Sequence, residues 1–272
     1  MENRKTIDLD KAIRESNSGF LRSMPGFVIR WMERLIGQDE INDVINKNYE
    51  KSGVVFIKGI LNDWGVNIDS TGDENVPNEG RFIFAANHPV GGLDAVSIFT
   101  IIDKFFPVTV TPANELLNII PQIRQYVFGL NVFAKTNRET AKKLDELYES
   151  DVQIFIFPAG EVSRRHKGVI SDLMWQKSFV TKAIQHKRDI IPLFIGGRNS
   201  NLFYFIANLR KRMGIKMYIE TMLLPREMLK QRNSTVKIWI GKPIPYQVFT
   251  SDKTHSEWAQ WVKSVAYSLP YN

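Results

Sequence analysis

The pair His88 and Asp94 is the part of this sequence best suited to chemistry. Both residues lie in the segment Arg81–Asp94, and five residues separate them. A histidine beside a carboxylate can act as a general base. The carboxylate fixes the imidazole tautomer and stabilises the imidazolium, while the ring takes a proton from a hydroxyl or an amine. The alternative is structural, because Asn and Asp are also ordinary turn and helix-cap residues.

The segment that carries this pair is predicted to change from strand to helix. Phe82–Ala86 is an apolar run typical of a buried strand, and Pro89, which has no N–H for a sheet ladder, ends it. The neighbouring glycines Gly91–Gly92 permit a tight turn, and Asp94 is predicted to open the next helix, whose first turn favours a negative charge. His88 would then lie in the crevice at the carboxyl end of a strand, where open α/β sheets bind ligands.

Further apolar runs alternate with helical segments along the chain. Strands are predicted at 106–111, 129–134, 152–157 and 190–195, and a helix is predicted at about 172–186. This alternation predicts an α/β fold with a largely parallel central sheet flanked by helices. A polar loop at 69–80 precedes the strand predicted at Phe82–Ala86. We therefore predict a helical N-terminal region, 1–80, packed on or beside an α/β domain, 81–272.

Polar residues follow the predicted strands in four blocks. Because the carboxyl ends of parallel strands meet at one edge of a sheet, a parallel arrangement would bring these blocks together. The blocks are Asn87–Asp94, Asn114–Glu115, Lys135–Arg138 and Pro158–Arg165. Each block alone is a weak signal, and their convergence is the stronger one.

Taken together, the blocks resemble the glycerolipid acyltransferase superfamily with its lysophosphatidic acid acyltransferase-like fold. That family carries Asn-His followed by Asp, a strand ending in a basic residue, then Phe-Pro-Glu-Gly-Thr-Arg-Ser, then an apolar strand with Pro. Here Phe157–Arg164 and Ile191–Leu193 stand for the last two motifs. The family's commonest form has four residues between His and Asp, and its Glu precedes the Gly that Glu161 follows here. These two departures, with Asn114–Leu117, resemble the hemolysin-like branch, which includes enzymes that acylate lyso-ornithine and lyso-glycine lipids.

The resemblance implies an O-acyltransferase that moves a fatty acyl chain from acyl-ACP or acyl-CoA to a lysolipid hydroxyl. The acceptor would be a lyso-aminolipid or lysophosphatidic acid, with His88 as the base and Asp94 orienting it. No bound cofactor or metal is implied. The implied substrate-binding residues are Lys135 and Arg138 for an anionic head group and Glu161 and Arg164 for the acceptor site. Arg165, Asn114 and Glu115 are further candidates for substrate binding, and Asn87 and Asn114 could equally be structural. Two alternatives stay open: a lipid-binding protein without turnover, and a thioesterase or other hydrolase using the same pair.

Composition excludes some chemistry and favours an anionic partner. The 272 residues contain no cysteine, which excludes disulfides, thiolate metal sites and a cysteine nucleophile. Ser163 lies outside a Gly-x-Ser-x-Gly elbow, the four histidines lack zinc-ligand spacing, and nucleotide-binding glycine motifs are absent from the sequence. The net charge of +7 favours acidic partners. We expect an acyl carrier protein or CoA thioester, a lysolipid and an anionic membrane surface, and no nucleic acid.

The sequence predicts a protein that lies on a membrane without crossing it. The N-terminus is polar, without a signal-peptide core, and no stretch reaches the ~18 uncharged apolar residues of a spanning helix. We therefore expect a cytoplasmic protein, peripheral on the inner face of the membrane. Two segments are candidates for the contact. In 20–36, we favour a docked helix over an interfacial one, while Leu202–Met213 fits a partly buried helix or an interfacial patch equally. The helical stripe in the first segment comprises Phe27, Val28, Trp31, Met32 and Leu35.

Overall fold

A seven-stranded sheet forms the centre of the molecule. The structure is a computed structural model that describes residues 5–15, 19–130, 138–215 and 218–271. The sheet has the strand order β1-β9-β8-β2-β5-β3-β4, and β6 and β7 form a separate hairpin. The strands are β1 (Asn67–Thr71), β2 (Phe82–Ala86), β3 (Thr109–Asn114), β4 (Val127–Leu130), β5 (Gln153–Ile156), β6 (Arg164–His166), β7 (Val169–Ser171), β8 (Asp189–Ile195) and β9 (Thr235–Ile240).

Helices cover both faces of this sheet. They are α1 (Leu9–Arg14), α2 (Gly19–Arg22), α3 (Gly26–Ile36), α4 (Gln38–Lys47), α5 (Gly53–Asp63), α6 (Gly92–Ile102), α7 (Arg138–Glu149), α8 (Ser178–His186), α9 (Asn201–Arg212), α10 (Leu224–Leu229) and α11 (His255–Ser268). Short 3₁₀ helices include Glu115–Ile119, Pro121–Tyr126 and Ile219–Leu223.

The predicted parallel sheet is confirmed. Strand β2 lies between β8 and β5 and runs parallel to both, with Ala85 beside Pro192 on one side and beside Ile156 on the other. Strands β3 and β4 continue in the same direction beyond β5. Only the β8–β9 pair is antiparallel within this described sheet, and β1 runs parallel to β9. The carboxyl ends of β2, β3, β5 and β8 therefore share one edge.

The two faces of the sheet bury separate apolar cores. Along β2, Phe82, Phe84 and Ala86 face the core shared with α4, α5 and α6, whereas Ile83 and Ala85 face the core shared with α8 and α11. All five residues are buried, as expected of a central parallel strand covered on both sides. A smaller third core lies under α9 and includes Val162, Phe203, Tyr204 and Leu223.

The first 80 residues contribute more than helices to this architecture. Strand β1 pairs with β9 at the edge of the sheet, and α4 and α5 insert Ile45, Phe56 and Ile57 into the main core. The boundary at residue 80 stays a prediction.

The segment after β5 differs from its prediction. The helix predicted at about 172–186 begins only at Ser178, and residues 164–171 form the β6–β7 hairpin. Each strand of this hairpin has only three residues, and β6 consists of two arginines and a histidine, so neither strand shows the apolar alternation that reveals longer strands. The strand predicted at 129–134 is described as far as Leu130, and its remainder lies outside the described residues.

Helix α3 docks on the protein with a face that only partly overlaps the predicted stripe, because Leu35 packs against the third core whereas the aromatic members of the stripe face outward. Ile29 and Ile36 are buried, whereas Phe27 is 68% exposed and Trp31 is 61% exposed. The two exposed aromatic side chains lie on the opposite side of the helix from the two buried isoleucines, given 100° per residue.

Candidate active site

His88 and Asp94 are hydrogen bonded to each other. The imidazole Nδ1 lies 2.9 Å from the carboxylate Oδ2 of Asp94. Because a carboxylate oxygen accepts, this contact places the proton on Nδ1 and makes Nε2 the basic nitrogen of a neutral ring. Among the described residues, the ring forms a hydrogen bond through Nδ1 and none through Nε2.

Asp94 also closes the turn that leads into α6. Its Oδ2 accepts the backbone N–H groups of Val90 and Gly91, each at 2.8 Å. Helix α6 begins at Gly92, two residues before the predicted start, so Asp94 lies in the first turn, where the helix dipole favours an anion. The structural role of Asp94 at the helix start and its hydrogen bond to His88 are therefore compatible, and its catalytic role stays a prediction. One buried carboxylate orients the imidazole and fixes the backbone that carries it.

The His88 ring is packed yet accessible. It stacks on Phe157, with ring centroids 3.8 Å apart and an interplanar angle of 12°. The side chain of His88 keeps 17% exposure, while that of Asp94 keeps 1%. Stacking and the Nδ1 hydrogen bond hold the ring orientation, and part of the ring remains exposed to solvent.

The turn that carries His88 is held against the end of β8. The Asn87 side chain accepts the N–H of Ile195 at 2.6 Å and donates to its carbonyl at 2.9 Å. The Asn199 amide donates to the carbonyl of Pro89 at 3.2 Å. Asn87 therefore extends the β2–β8 ladder through its side chain, one residue before His88, where the backbone leaves the sheet.

A second buried carboxylate, Asp172, holds the same turn from the other side. Its Oδ1 accepts the backbone N–H of His88 at 3.2 Å and the hydroxyl of Ser163 at 2.6 Å. Its Oδ2 accepts the indole N–H of Trp175 at 2.9 Å. The N–H of Ser163 also donates to the carbonyl of His88 at 2.7 Å, so both main-chain groups of His88 are engaged. Sequence reasoning missed Asp172, because it assigned this residue to a helix start.

Residues of α11 and the Asp172 carboxylate influence one another. The Tyr267 hydroxyl accepts the backbone N–H of Asp172 at 2.8 Å. Burial raises the pKa of Tyr267, and the negative charge of Asp172 raises it further. Burial also lowers the pKa of Lys263, which the Asp172 charge partly counteracts. These directions are those expected around an anion in a poorly solvated environment.

Arg164 lies in a buried network of ion pairs. Its Nη2 lies 3.1 Å from both Glu161 and Glu220, and Arg210 pairs with the second carboxylate oxygen of Glu220 at 2.9 Å. The side chain of Glu220 is fully buried. A hydrogen bond to Glu161 raises the pKa of Tyr218. Two arginines and two glutamates balance in formal charge, so the predicted substrate residues Glu161 and Arg164 meet as members of one neutral cluster.

The remaining predicted substrate residues are distributed along the same edge or outside the described part. Arg165 donates to Asn201 at 2.8 Å and lies over the Tyr204 ring. Asn114 ends β3 and Glu115 begins the next 3₁₀ helix, two strands away from β2. Arg138 is exposed at the first position of α7. The prediction for Lys135 lies outside the described residues. The roles of all seven residues in binding stay predictions.

Comparisons with known proteins match this chain along nearly its whole length. The family model described as Acyltransferase matches residues 11–271. A lyso-glycine lipid O-acyltransferase from Bacteroides thetaiotaomicron is 38% identical over 264 residues, which is 97% of each chain. A protein of the same name from Phocaeicola vulgatus is 38% identical over 97% of this chain and 95% of its own.

Among solved structures, the 1-acyl-sn-glycerophosphate acyltransferase from Thermotoga maritima has a TM-score of 0.47 and 17% identity, covering 90% of this chain and 92% of its own. From the family model and the curated relatives, this chain belongs to the acyltransferase family and is an acyltransferase enzyme.

Proposed function

We propose that this enzyme transfers a fatty acyl chain from acyl-ACP or acyl-CoA to the hydroxyl of a lysolipid at a membrane surface. The observation that carries the proposal is the 2.9 Å contact between His88 Nδ1 and Asp94, on a ring that stays partly exposed at the carboxyl edge of the sheet. The two relatives named for a lyso-glycine lipid favour an acceptor of that class, because the identity extends over 97% of this chain.

The reaction follows from the protonation state of the ring. The Nε2 atom of His88 accepts the proton of the acceptor hydroxyl as its oxygen attacks the thioester carbonyl. Asp94 stabilises the imidazolium that forms. The tetrahedral intermediate then breaks its carbon–sulfur bond, and the departing thiolate takes the proton from the imidazolium. The products are the two-chain lipid and the free thiol of the carrier, without a covalent acyl-enzyme.

We propose a peripheral position on the inner, cytoplasmic face of the membrane. The net charge of +7 supports attraction to an anionic surface. Among the helices that the structure describes, none has both the length and the apolar character needed to cross a bilayer.

The test uses purified protein, radiolabelled acyl-ACP or acyl-CoA in separate reactions, and lyso-glycine lipid or lysophosphatidic acid as acceptor. We expect labelled two-chain lipid, and a decrease in kcat of roughly 10²–10⁴-fold in His88→Ala, the usual contribution of a general base. His255→Gln is the matched control. His255 is the first residue of α11, and its ring is hydrogen bonded to Thr181 of α8, outside the site.

Three outcomes would count against the proposal. Wild-type kcat in His88→Ala would remove the base from the mechanism. Labelled fatty acid without two-chain lipid would identify a hydrolase. Lipid binding without any turnover of either donor would favour the non-catalytic alternative.

A further inference from the structure

We propose that α3, the 3₁₀ helix Ile219–Leu223 and α9 together form a docking surface for an anionic bilayer, placed beside the active-site turn. This inference rests on the proposed function, because it assumes a lipid substrate. It adds to that function which elements meet the membrane and how the acceptor is brought to His88.

The outer face of α3 interleaves aromatic and basic side chains. Phe27, Arg30, Trp31 and Arg34 are all exposed, and at 100° per residue they span less than 110° of the helix surface. The opposite face buries Ile29. A helix that places aromatic rings and arginines on its solvent side, while its other side is packed on protein, has the pattern of an interfacial helix.

Helix α9 presents a second exposed apolar row. Leu202, Phe205, Leu209 and Met213 recur at helical spacing, and Phe205 and Met213 are 63% and 65% exposed. The opposite face buries other aromatic residues in the third core. The helix ends in three consecutive cations, 210–212, of which Lys211 and Arg212 are exposed.

The 3₁₀ helix connects these two faces. It packs against both α3 and α9, and Leu223 and the α3 residue Leu35 belong to the third core beneath them. Tyr218 and Met222, at its surface, are 44% and 39% exposed. Neighbouring elements thus expose aromatic and aliphatic side chains over a common small core. An apolar area of this kind on a protein surface indicates an interaction site.

A cationic cleft adjoins α3. Its volume is about 220 Å³, and its lining combines residues of α3 with Arg226, Lys230 and Arg232 from α10 and the turn after it. Lys230 pairs with Glu227 and Arg232 with Glu40. Among the described residues, no carboxylate forms an ion pair with Arg34 or Arg226. The cleft therefore has net positive charge beside the exposed aromatics, which complements the anionic head groups of a bilayer.

A bilayer explains this combination better than an acidic carrier protein does. Recognition of an acidic protein requires exposed cations, but it gives no reason for Phe27, Trp31, Phe205 and Met213 to remain in water. Interfacial aromatic rings beside arginines satisfy both parts of the pattern, since the rings enter the head-group layer and the guanidinium groups meet lipid phosphates.

The docking surface is joined to the catalytic turn by a short chain of contacts. Tyr218 and Met222 flank Glu220, whose buried carboxylate pairs with Arg164. Arg164 follows Ser163, whose backbone N–H donates to the carbonyl of His88. Only a few residues separate the proposed membrane contact from the catalytic base. An acceptor held in the bilayer would reach His88 without leaving the lipid layer completely.

The test is co-sedimentation of the purified full chain with vesicles of phosphatidylcholine alone or with 30% phosphatidylglycerol. We expect binding to the mixed vesicles, with at least roughly tenfold weaker partitioning in Phe27→Ser/Trp31→Ser, because two aromatic side chains lose their burial in lipid. Arg30→Gln/Arg34→Gln should weaken binding to the mixed vesicles by roughly 30-fold, at about fivefold per arginine near an anionic surface.

Matched controls lie on other parts of the molecule. Val108→Ser removes an exposed apolar side chain that precedes the amino end of β3, at the opposite edge of the sheet. Lys142→Gln/Lys143→Gln removes two exposed charges from α7, which packs on the other face of the sheet. Both controls should bind vesicles as the wild type does. Folding of every variant is checked by its urea midpoint.

The outcomes separate this inference from the proposed function. Wild-type partitioning of both α3 variants, or failure of the wild type to bind mixed vesicles, would overturn the docking surface. Loss of acyl-ACP affinity in these variants with vesicle binding intact would reassign the surface to the carrier protein. If vesicle binding follows our expectation but no acyl transfer occurs, the docking surface stands and the proposed function fails. Transfer to a soluble short-chain acceptor should survive in the α3 variants.

Discussion

The replacement Asp172→Asn tests whether a carboxylate that does not touch the His88 ring still controls its chemistry. Asp172 is 4% exposed and accepts three hydrogen bonds, from the His88 backbone, the Ser163 hydroxyl and the Trp175 indole. An asparagine has the same shape but only one accepting oxygen. If that oxygen keeps the His88 and Ser163 contacts, the new NH₂ group faces the indole N–H of Trp175, and neither can accept.

The magnitude follows from these contacts. Hydrogen bonds to a charged group contribute about 1.5–3 kcal/mol each, and a buried donor without a partner costs about 1–3 kcal/mol. Losing one such bond and weakening two predicts a decrease of about 2–4 kcal/mol in the free energy of unfolding. A shift of about 1 Å in the His88 turn would lower kcat by up to about 100-fold, because near-attack geometry is sensitive to small displacements. The KM of the thioester donor should change little.

Urea unfolding and steady-state kinetics on the same preparations measure both effects. The double variant Asp172→Asn/Trp175→Phe removes the indole donor, so it should recover part of the lost stability and kcat. A purely structural role would lower stability without this coupled recovery of kcat. Wild-type kcat and an unchanged urea midpoint in Asp172→Asn would refute the reasoning.

Two further substitutions test the backbone that positions the site. Gly91 has a φ of +118°, so Gly91→Ala should destabilise the fold by about 1–3 kcal/mol and lower kcat, because the Asp94 carboxylate accepts its N–H. Gly168→Ala, at φ +84° in the hairpin turn, should cost similar stability with kcat unchanged; equal kcat in both variants would contradict the role of Gly91. Arg188 is fully buried, with its pKa lowered to about 10 by burial, and Arg188→Met should lower the urea-measured free energy of unfolding by at least about 3 kcal/mol. A loss below about 1 kcal/mol would contradict this, and Lys142→Met is the exposed control. The carbonyls left without the Arg188 donors belong to Phe82, Tyr148, Ser150 and Val152.

The local features of the site could be predicted from the sequence because they depend on residues close along the chain. Phe82–Ala86 is buried on both faces, and such a strand must be continuously apolar. His88 and Asp94 belong to one turn, so the backbone of seven residues, 88–94, is enough to bring them together. The parallel direction of β2, β3, β5 and β8 could be expected because a crossover connection lets the next strand start from the same end of the sheet. Strand β9 is antiparallel to β8 although helices precede it as well.

Contacts between distant segments could not be predicted in this way. Asp172 supports His88, and Glu220 neutralises Arg164, but neither pairing leaves a periodic signal in the sequence. A charged residue looks the same whether its partner is water or a buried ion. Only the tertiary structure, which brings Glu220 beside Arg164 of β6, shows that Arg164 is already paired.

Helix α3 shows the same division most clearly. Its sequence determined that apolar residues recur at helical spacing, because each turn contains 3.6 residues. It could not determine which part of the helix surface a neighbour would cover, since Ile29 and Trp31 are both apolar. The tertiary structure decided that Ile29 is buried and that Phe27 and Trp31 face outward, because the third core and α10 occupy only one side of the helix.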